Sequence, residues 1–172
     1  MKILFTASLL IISLFACKGR EQDFNVLPPA TQTGANTGGA LVNGKVWVAK
    51  VENIGPYTGG LANLYNFING EYKARIFLRS SDESENIWVD IQSTSDFALT
   101  SYNLLNNLDN RGIYGSSTNT YYTDSQNTGS VTFTRFDKTN QIFSGTFTFK
   151  ARDANGNVVN VTEARFDKKF TN

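Results

Sequence analysis

The strongest constraint on the fold lies between Gln141 and Ala151. Phe143, Gly145, Phe147, Phe149 and Ala151 fall on one side of an extended chain, and Thr146, Thr148 and Lys150 on the other. A period of two positions belongs to a strand with one buried and one wetted face, whereas a helix needs apolar residues at three- and four-residue spacing. Gly145 inside that row signals a bulge or a close backbone approach.

The same alternation recurs along the chain. Lys45–Val51 follows Asn43-Gly44, and Leu64–Ile68 is joined to Glu71–Arg79 by Asn69-Gly70. Both dipeptides are two-residue hairpin signals. Tyr72, Ala74, Ile76 and Leu78 share one face of the return strand. Lys73, Arg75 and Arg79 share the other, with Phe77 among them. Ile87, Val89 and Ile91 alternate with Trp88, Asp90 and Gln92, and short strands are expected at Ile113-Tyr114 and Thr120–Thr123. Gly129–Phe136 places Val131 and Phe133 inward. Val158–Thr162 and Ala164–Phe170 close the chain, with Phe166 and Phe170 inward.

Between strands stand turn-forming runs: the Gly-rich Asn53–Asn63, the acidic Ser80–Glu85, Asp137–Asn140 and Asp153–Asn157. Thr94–Asn110 reads as loop with at most one helical turn. Leu104, Leu105 and Leu108 have helical spacing, but Asn103, Asn106, Asn107 and Asn110 are poor helix formers. The expectation is one all-β domain of about eight to ten antiparallel strands, a β-sandwich, with an up-and-down β-barrel as the alternative.

Composition narrows the chemistry. The chain has no His and a single Cys among 172 residues. Ser-His-Asp and Cys-His catalysis, His-ligated metals, CxxC redox pairs and internal disulfides are thereby excluded. Lys and Arg total 16 against 15 Asp and Glu, and no basic stripe is present, so nucleic acid is not an expected partner. No cofactor is implied.

The N-terminus carries an address. After Met1-Lys2, Ile3–Phe15 is uncharged, its apolar run interrupted only by Thr6, Ser8 and Ser13. It is too short for about 30 Å of hydrocarbon, which takes about 20 helical residues. It fits the hydrophobic region of a signal peptide. Leu14-Phe15-Ala16-Cys17 resembles a bacterial lipobox, with Phe15 a departure at its loosest position. The resemblance implies cleavage before Cys17 and lipid on its sulfur, hence a membrane anchor. Lys18 after the Cys implies, by lipoprotein sorting rules, the outer membrane rather than inner-membrane retention. The mixed-charge stretch Lys18–Phe24 loosely resembles a surface-export signal, which leaves the periplasmic face and the cell surface both open. Pro28-Pro29 and the Thr/Gly-rich run Thr31–Gly38 have linker composition. A flexible segment of this length has a reach of about 25 Å. The organisation expected is therefore residues 1–16 signal peptide, 17–38 lipid anchor and flexible tether, and 39–172 all-β domain.

Leu41-Val42-Asn43-Gly44-Lys45-Val46-Trp47 opens that domain. Ile142–Phe149, reading IFSGTFTF, then Asn155-Gly156 and Thr162-Glu163-Ala164-Arg165-Phe166-Asp167 close it. Together with the lipobox and tether, these features resemble a family of small Bacteroidetes-type lipoproteins of unknown function, over about residues 31–170. Glu163-Ala164 departs from the Asp-Gly pair expected before the last strand. The resemblance implies an envelope location and an all-β fold, and brings no catalytic residues with it.

Three candidate sites follow from residue types. Trp88 and Phe77 fall on the non-core face of neighbouring strands, Trp47 opposes Val46 and Val48, and Tyr57 lies in the Gly-rich loop with Tyr65 beside it. Exposed rings of this kind would stack on sugars and make a glycan-binding face; swapped facings would bury them as core instead. Asp153-x-Asn155-x-Asn157 has the spacing that opens a calcium loop, but Val158 and Ala164 stand where Gly and Glu are needed, so a turn is the better reading. Asp82, Glu83 and Glu85 read as a solvated loop that guards nearby edges, and no metal site is expected. Fifteen acids supply many carboxylate pairs for glycoside hydrolysis, but neither G-x-S-x-G nor S-x-x-K is present. The expected function is non-catalytic binding or interaction in the envelope, with a glycan or an envelope protein as partner. A glycan-binding surface lipoprotein and a small lipid-anchored hydrolase are the alternatives.

Overall fold

The computed structural model describes residues 22–50, 64–105 and 109–170. It is all-β, and no helix is formed among the described residues. Eleven strands make one antiparallel sheet: β1 (Thr37–Val42), β2 (Lys45–Val48), β3 (Leu64–Ile68), β4 (Glu71–Arg79), β5 (Asn86–Ser93), β6 (Ser101–Leu104), β7 (Arg111–Gly115), β8 (Thr120–Tyr122), β9 (Gly129–Asp137), β10 (Ile142–Arg152) and β11 (Val158–Lys169). The order is β2-β1-β11-β10-β8-β7-β5-β4-β3, with β9 also pairing β10, and β6 pairing β9.

The sheet folds over itself as a sandwich and does not close into a barrel. The fold turns at the end of β10, where Arg152 pairs with Tyr122 of β8 while the earlier part of the strand pairs with β9. Strands β2, β1, β11, β10, β9 and β6 form one layer, and β8, β7, β5, β4 and β3 the other. Across the gap a Cβ built on Gly38 would lie 2.5 Å from Leu78, and one on Gly112 2.6 Å from Phe149. At one corner a single bridge, Ala49 to Ser80, joins the layers, with the Lys50 N–H donating to the Arg79 carbonyl at 2.8 Å.

The count exceeds the sequence expectation for definite reasons. Thr37–Val42 is a strand although its first two residues have linker composition. Ser101–Leu104 is a strand where a loop was expected. Val158–Lys169 is one strand rather than two, carried through a bulge at Glu163, whose φ is +48°. The bulge inserts one residue opposite both β10 and β1. Val159 and Val161 face inward before it, and Ala164, Phe166 and Phe170 after it, so an odd-numbered face becomes even-numbered. A second bulge in β9, opposite Ser144 and Gly145, does the same for Phe133 and Phe136. Asn43-Gly44 and Asn69-Gly70 have positive φ at both positions, as their hairpins require.

The core is aromatic. Phe143 and Phe170 stack at 5.2 Å, Phe133 meets Phe166 edge-on at 6.0 Å, and Tyr65 meets Phe136 at 5.0 Å from the opposite layer. Each ring fully buried contributes roughly 1.5–3 kcal/mol. Gly145 sits opposite Phe166, and a Cβ there would lie 2.1 Å from the Thr132 carbonyl oxygen. The close approach expected at this glycine is present.

Candidate functional site

The outward face of β4, β5 and β7 is built from in-register rungs. Arg75 pairs with Asp90, which pairs with Arg111; one rung along, Asn66 pairs with Lys73 and Lys73 with Gln92. Since β5 sends Ile87, Val89 and Ile91 into the core, Trp88, Asp90 and Gln92 must point out. The result is an open groove of about 420 Å³, lined by Asn66, Lys73, Arg75, Asp90, Asp109 and Arg111 among others.

Asp90 is the hub. Arg75 donates through Nε to Asp90 Oδ1 at 2.6 Å and through Nη2 to Oδ2 at 3.2 Å. Arg111 donates through Nε and Nη2 to Oδ2, both at 3.1 Å. Two guanidiniums on one carboxylate leave a net positive charge on the triad, and both remain partly open to solvent. Lys73 is exposed and makes no ion pair among the described residues. Asn66 Oδ1 is a buried acceptor with no donor among the described residues. The groove is therefore lined by the Arg75–Asp90–Arg111 cluster, by Lys73 and by the carboxylate of Asp109, with the Asn66 oxygen buried in its wall. A ligand with an anionic group matches those features.

Of the five rings that would make an aromatic glycan-binding face, Phe77, Trp47 and Tyr65 are buried. Phe77 is 1% exposed: Trp88 lies beside it at 5.4 Å in the same rung, Ile113 follows Trp88, and the Arg79 guanidinium carbon sits 5.4 Å from its ring centre. Trp88 is half-buried in that row. Trp47 points into the core opposite Ala40, and Val46 is the exposed residue of the pair; the Trp47 Nε1–H has no acceptor among the described residues. Tyr65 is a core residue whose hydroxyl donates to Asp96 at 2.8 Å; burial first, then Asp96, pushes its pKa up. Tyr57 and Cys17 lie outside the described residues.

The remaining acidic candidates are used locally. Asp153 accepts from the Asn155 and Asn157 backbone N–H groups and from the Asn157 side chain, which is a turn and not a calcium cradle. Asp82 accepts from Ser80 and Ser84, Glu83 pairs with Lys50 and Arg79, and Glu85 accepts from Tyr114. No group of three potential metal ligands occurs among the described residues. Asp90 and Arg111 escaped the sequence reading. Asp90 was legible as outward-facing, but Arg111 precedes the short strand expected at Ile113-Tyr114, so nothing in the sequence set its register.

The opposite layer carries a different outward feature. Asp167 is 2% exposed and accepts six hydrogen bonds: from the Thr33, Gly34 and Ala35 backbone N–H groups and from the Thr31, Thr33 and Ser144 hydroxyls. Burial is the largest influence on this carboxyl and opposes its ionisation. The hydrogen bonds from Thr31, Ser144, Thr33 and Gly34 outweigh burial and hold the pKa down to about 2. The closing motif of the chain has its physical account here. Ser144 and Asp167 clamp the N-terminal segment, and Gly145 makes room for Phe166.

A family described as a domain of unknown function (DUF6252) matches residues 66–168, from within β3 almost to the end of β11. Asp90 and Asp167 lie inside the match, whereas the residues 31–35 that donate to Asp167 precede it. No curated protein and no solved structure matches the chain.

Proposed function

We propose, for a chain that belongs to the DUF6252 family, the role of a lipid-anchored outer-membrane protein that binds without turnover, its outward groove taking an acidic glycan. Cys17 at the end of the apolar N-terminal run supports the anchor. The observation that carries the binding reading is the Arg75–Asp90–Arg111 cluster with Lys73 in one groove. A carboxylated or sulfated sugar supplies an anion for Lys73 and Arg111. Aromatic stacking is not part of this reading, because Phe77 and Trp47 are buried and Trp88 is half-buried beside Phe77.

Hydrolysis is the second reading, since Asp90 and Asp109 line one groove and glycosidases work with a carboxylate pair. Both oxygens of Asp90 already accept from guanidiniums, which leaves Asp109 as the one lining carboxylate without such a bond among the described residues. That weighs toward binding.

The test is calorimetric titration of the full chain with an oligogalacturonate and with a neutral glucan of the same length. Saturable binding of the acidic oligomer alone is expected, weakened at least tenfold by Lys73→Ala with Arg111→Ala. Equal binding of both sugars, no binding, or an unchanged double variant overturns the reading. Product release by the wild type supports hydrolysis instead.

A further inference from the structure

The segment read from composition as a free tether is bound to the domain over most of its length. Gln22 donates through Nε2 to the Ala49 carbonyl at the corner where the layers meet. Leu27 and Pro28 cover Gly39 so closely that a Cβ there would lie 2.9 Å from Pro28 Cδ and 3.2 Å from Leu27. Arg135 donates to the Gln32 carbonyl, and residues 31–35 fill Asp167. Lys168 Nζ donates to the Asn36 carbonyl at 3.0 Å, and the Lys169 N–H to Asn36 Oδ1 at 2.9 Å. Residues 22–36 thus form a strap across the outer face of β2, β1, β11, β10 and β9.

This shortens the leash. Between Cys17 and Gln22 lie five residue steps, which span at most about 18 Å fully extended. Whatever lipid Cys17 carries, the backbone of Gln22 stays within that distance of it, and the Ala49–Ser80 corner lies one glutamine side chain and one hydrogen bond farther. The strap also exposes apolar side chains beside the leash. Phe24 is 41% and Val26 60% exposed, although neighbouring Leu27 and Pro28 pack on the sheet. Exposed apolar side chains this near an acylated residue are at a depth where lipid can cover them, and an aromatic ring suits the membrane–water boundary. The β3–β4 hairpin turn, in contrast, lies ten positions along the strand from Ser80, about 33 Å at 3.3 Å per residue.

We propose that the strap is a membrane-docking surface. Phe24 and Val26 enter the lipid interface, the Ala49–Ser80 corner faces the bilayer, and the β3–β4 hairpin stands away from it. The inference rests on the lipidation of Cys17 proposed above. It replaces a domain swinging on a long tether with one held in a single attitude.

The experiment uses the full acylated chain in phosphatidylcholine–phosphatidylethanolamine vesicles that contain a headgroup-labelled acceptor lipid. A donor dye is placed on Ser84→Cys near the corner or on Ile68→Cys at the hairpin. Energy transfer from position 84 is expected to exceed that from position 68 several-fold. Phe24→Ser with Val26→Ser should cut that ratio at least twofold while the protein stays on the vesicles, the remainder being what the short leash alone imposes. Equal transfer from both positions, or no response to the double variant, overturns docking while leaving the anchor intact. Intact mass separates the two ideas: a purified chain without acyl mass, which fails to float with vesicles, overturns the anchor and docking together.

Discussion

Asp167 and Asp90 both project from outward faces of one sheet, and both collect several hydrogen bonds. Asp167 is covered by the strap, and its donors are neutral hydroxyls and backbone N–H groups drawn from residues 31–35 and Ser144. Asp90 is reached by solvent at its side chain, and its donors are two arginines on adjacent strands. Neutral donors spend the carboxylate on holding chain to chain, so Asp167 acts as a structural post. Cationic donors leave charge beyond what the carboxylate neutralises, and at Asp90 that charge faces an open groove. What lies over an aspartate, rather than the aspartate itself, separates architecture from recognition in this fold.

The severest attempt to break that contrast is Asp167→Ala. It strands three backbone N–H groups and three hydroxyls, and each buried donor without a partner costs about 1–3 kcal/mol. The strap can peel off and return some donors to water, so the expected net loss is about 3–4 kcal/mol. A urea unfolding midpoint measures it, and limited proteolysis should reveal new cleavage within residues 22–36. A loss no larger than that of a surface pair would dissolve the contrast.

Acid titration of the wild-type chain sharpens the same point. The folded-state carboxyl of Asp167 is depressed to about 2, against about 3.9 when unfolded. A depressed acid contributes stability that is full above the unfolded value and is lost as pH falls through the folded one. Stability should therefore decline between about pH 4 and pH 2, with about 2 kcal/mol traceable to this residue. Comparison with Asp167→Asn isolates the share: the variant's stability should fall less steeply across that window. Parallel curves would show that the post is not the titrating group.

Much of the fold was legible because strand alternation and turn chemistry are local. Gln141–Ala151 became Ile142–Arg152, and both Asn-Gly pairs turned where expected. What alternation cannot say is which face meets the core. Alternation left Trp47 open to either face and its pairing with Ala40 puts it inside, while Phe77 is buried on the outward face by its own rung. The strap was illegible for a different reason. Its partner Asp167 lies 132–136 positions away, and linker composition describes how a segment behaves alone, not what it finds on a neighbouring sheet. Of the groove, Lys73 and Arg75 were assigned to the outward face correctly. Their convergence with Asp90 and Arg111 needed the β4–β5–β7 register, which no pattern in the sequence specifies.

The smallest expected effect, and the one that distinguishes the two aspartates most sharply, comes from Asp90→Asn. Partly exposed ion pairs contribute about 0–1 kcal/mol, so unfolding should move by less than 1 kcal/mol. Binding should move the other way. Removing one negative charge from among three cations lowers the repulsion felt by an acidic sugar, and at about 20 mM salt such a charge is only partly screened. Affinity for oligogalacturonate should rise three- to tenfold there and return toward the wild-type value at about 500 mM salt, where the Debye length is a few ångströms. The asparagine oxygen still accepts from one guanidinium, so the arginines keep part of their alignment. If affinity instead falls as far as it does in Lys73→Ala with Arg111→Ala, then Asp90 is holding the arginines in place for the ligand. It would then be a post like Asp167, differing only in that solvent reaches it.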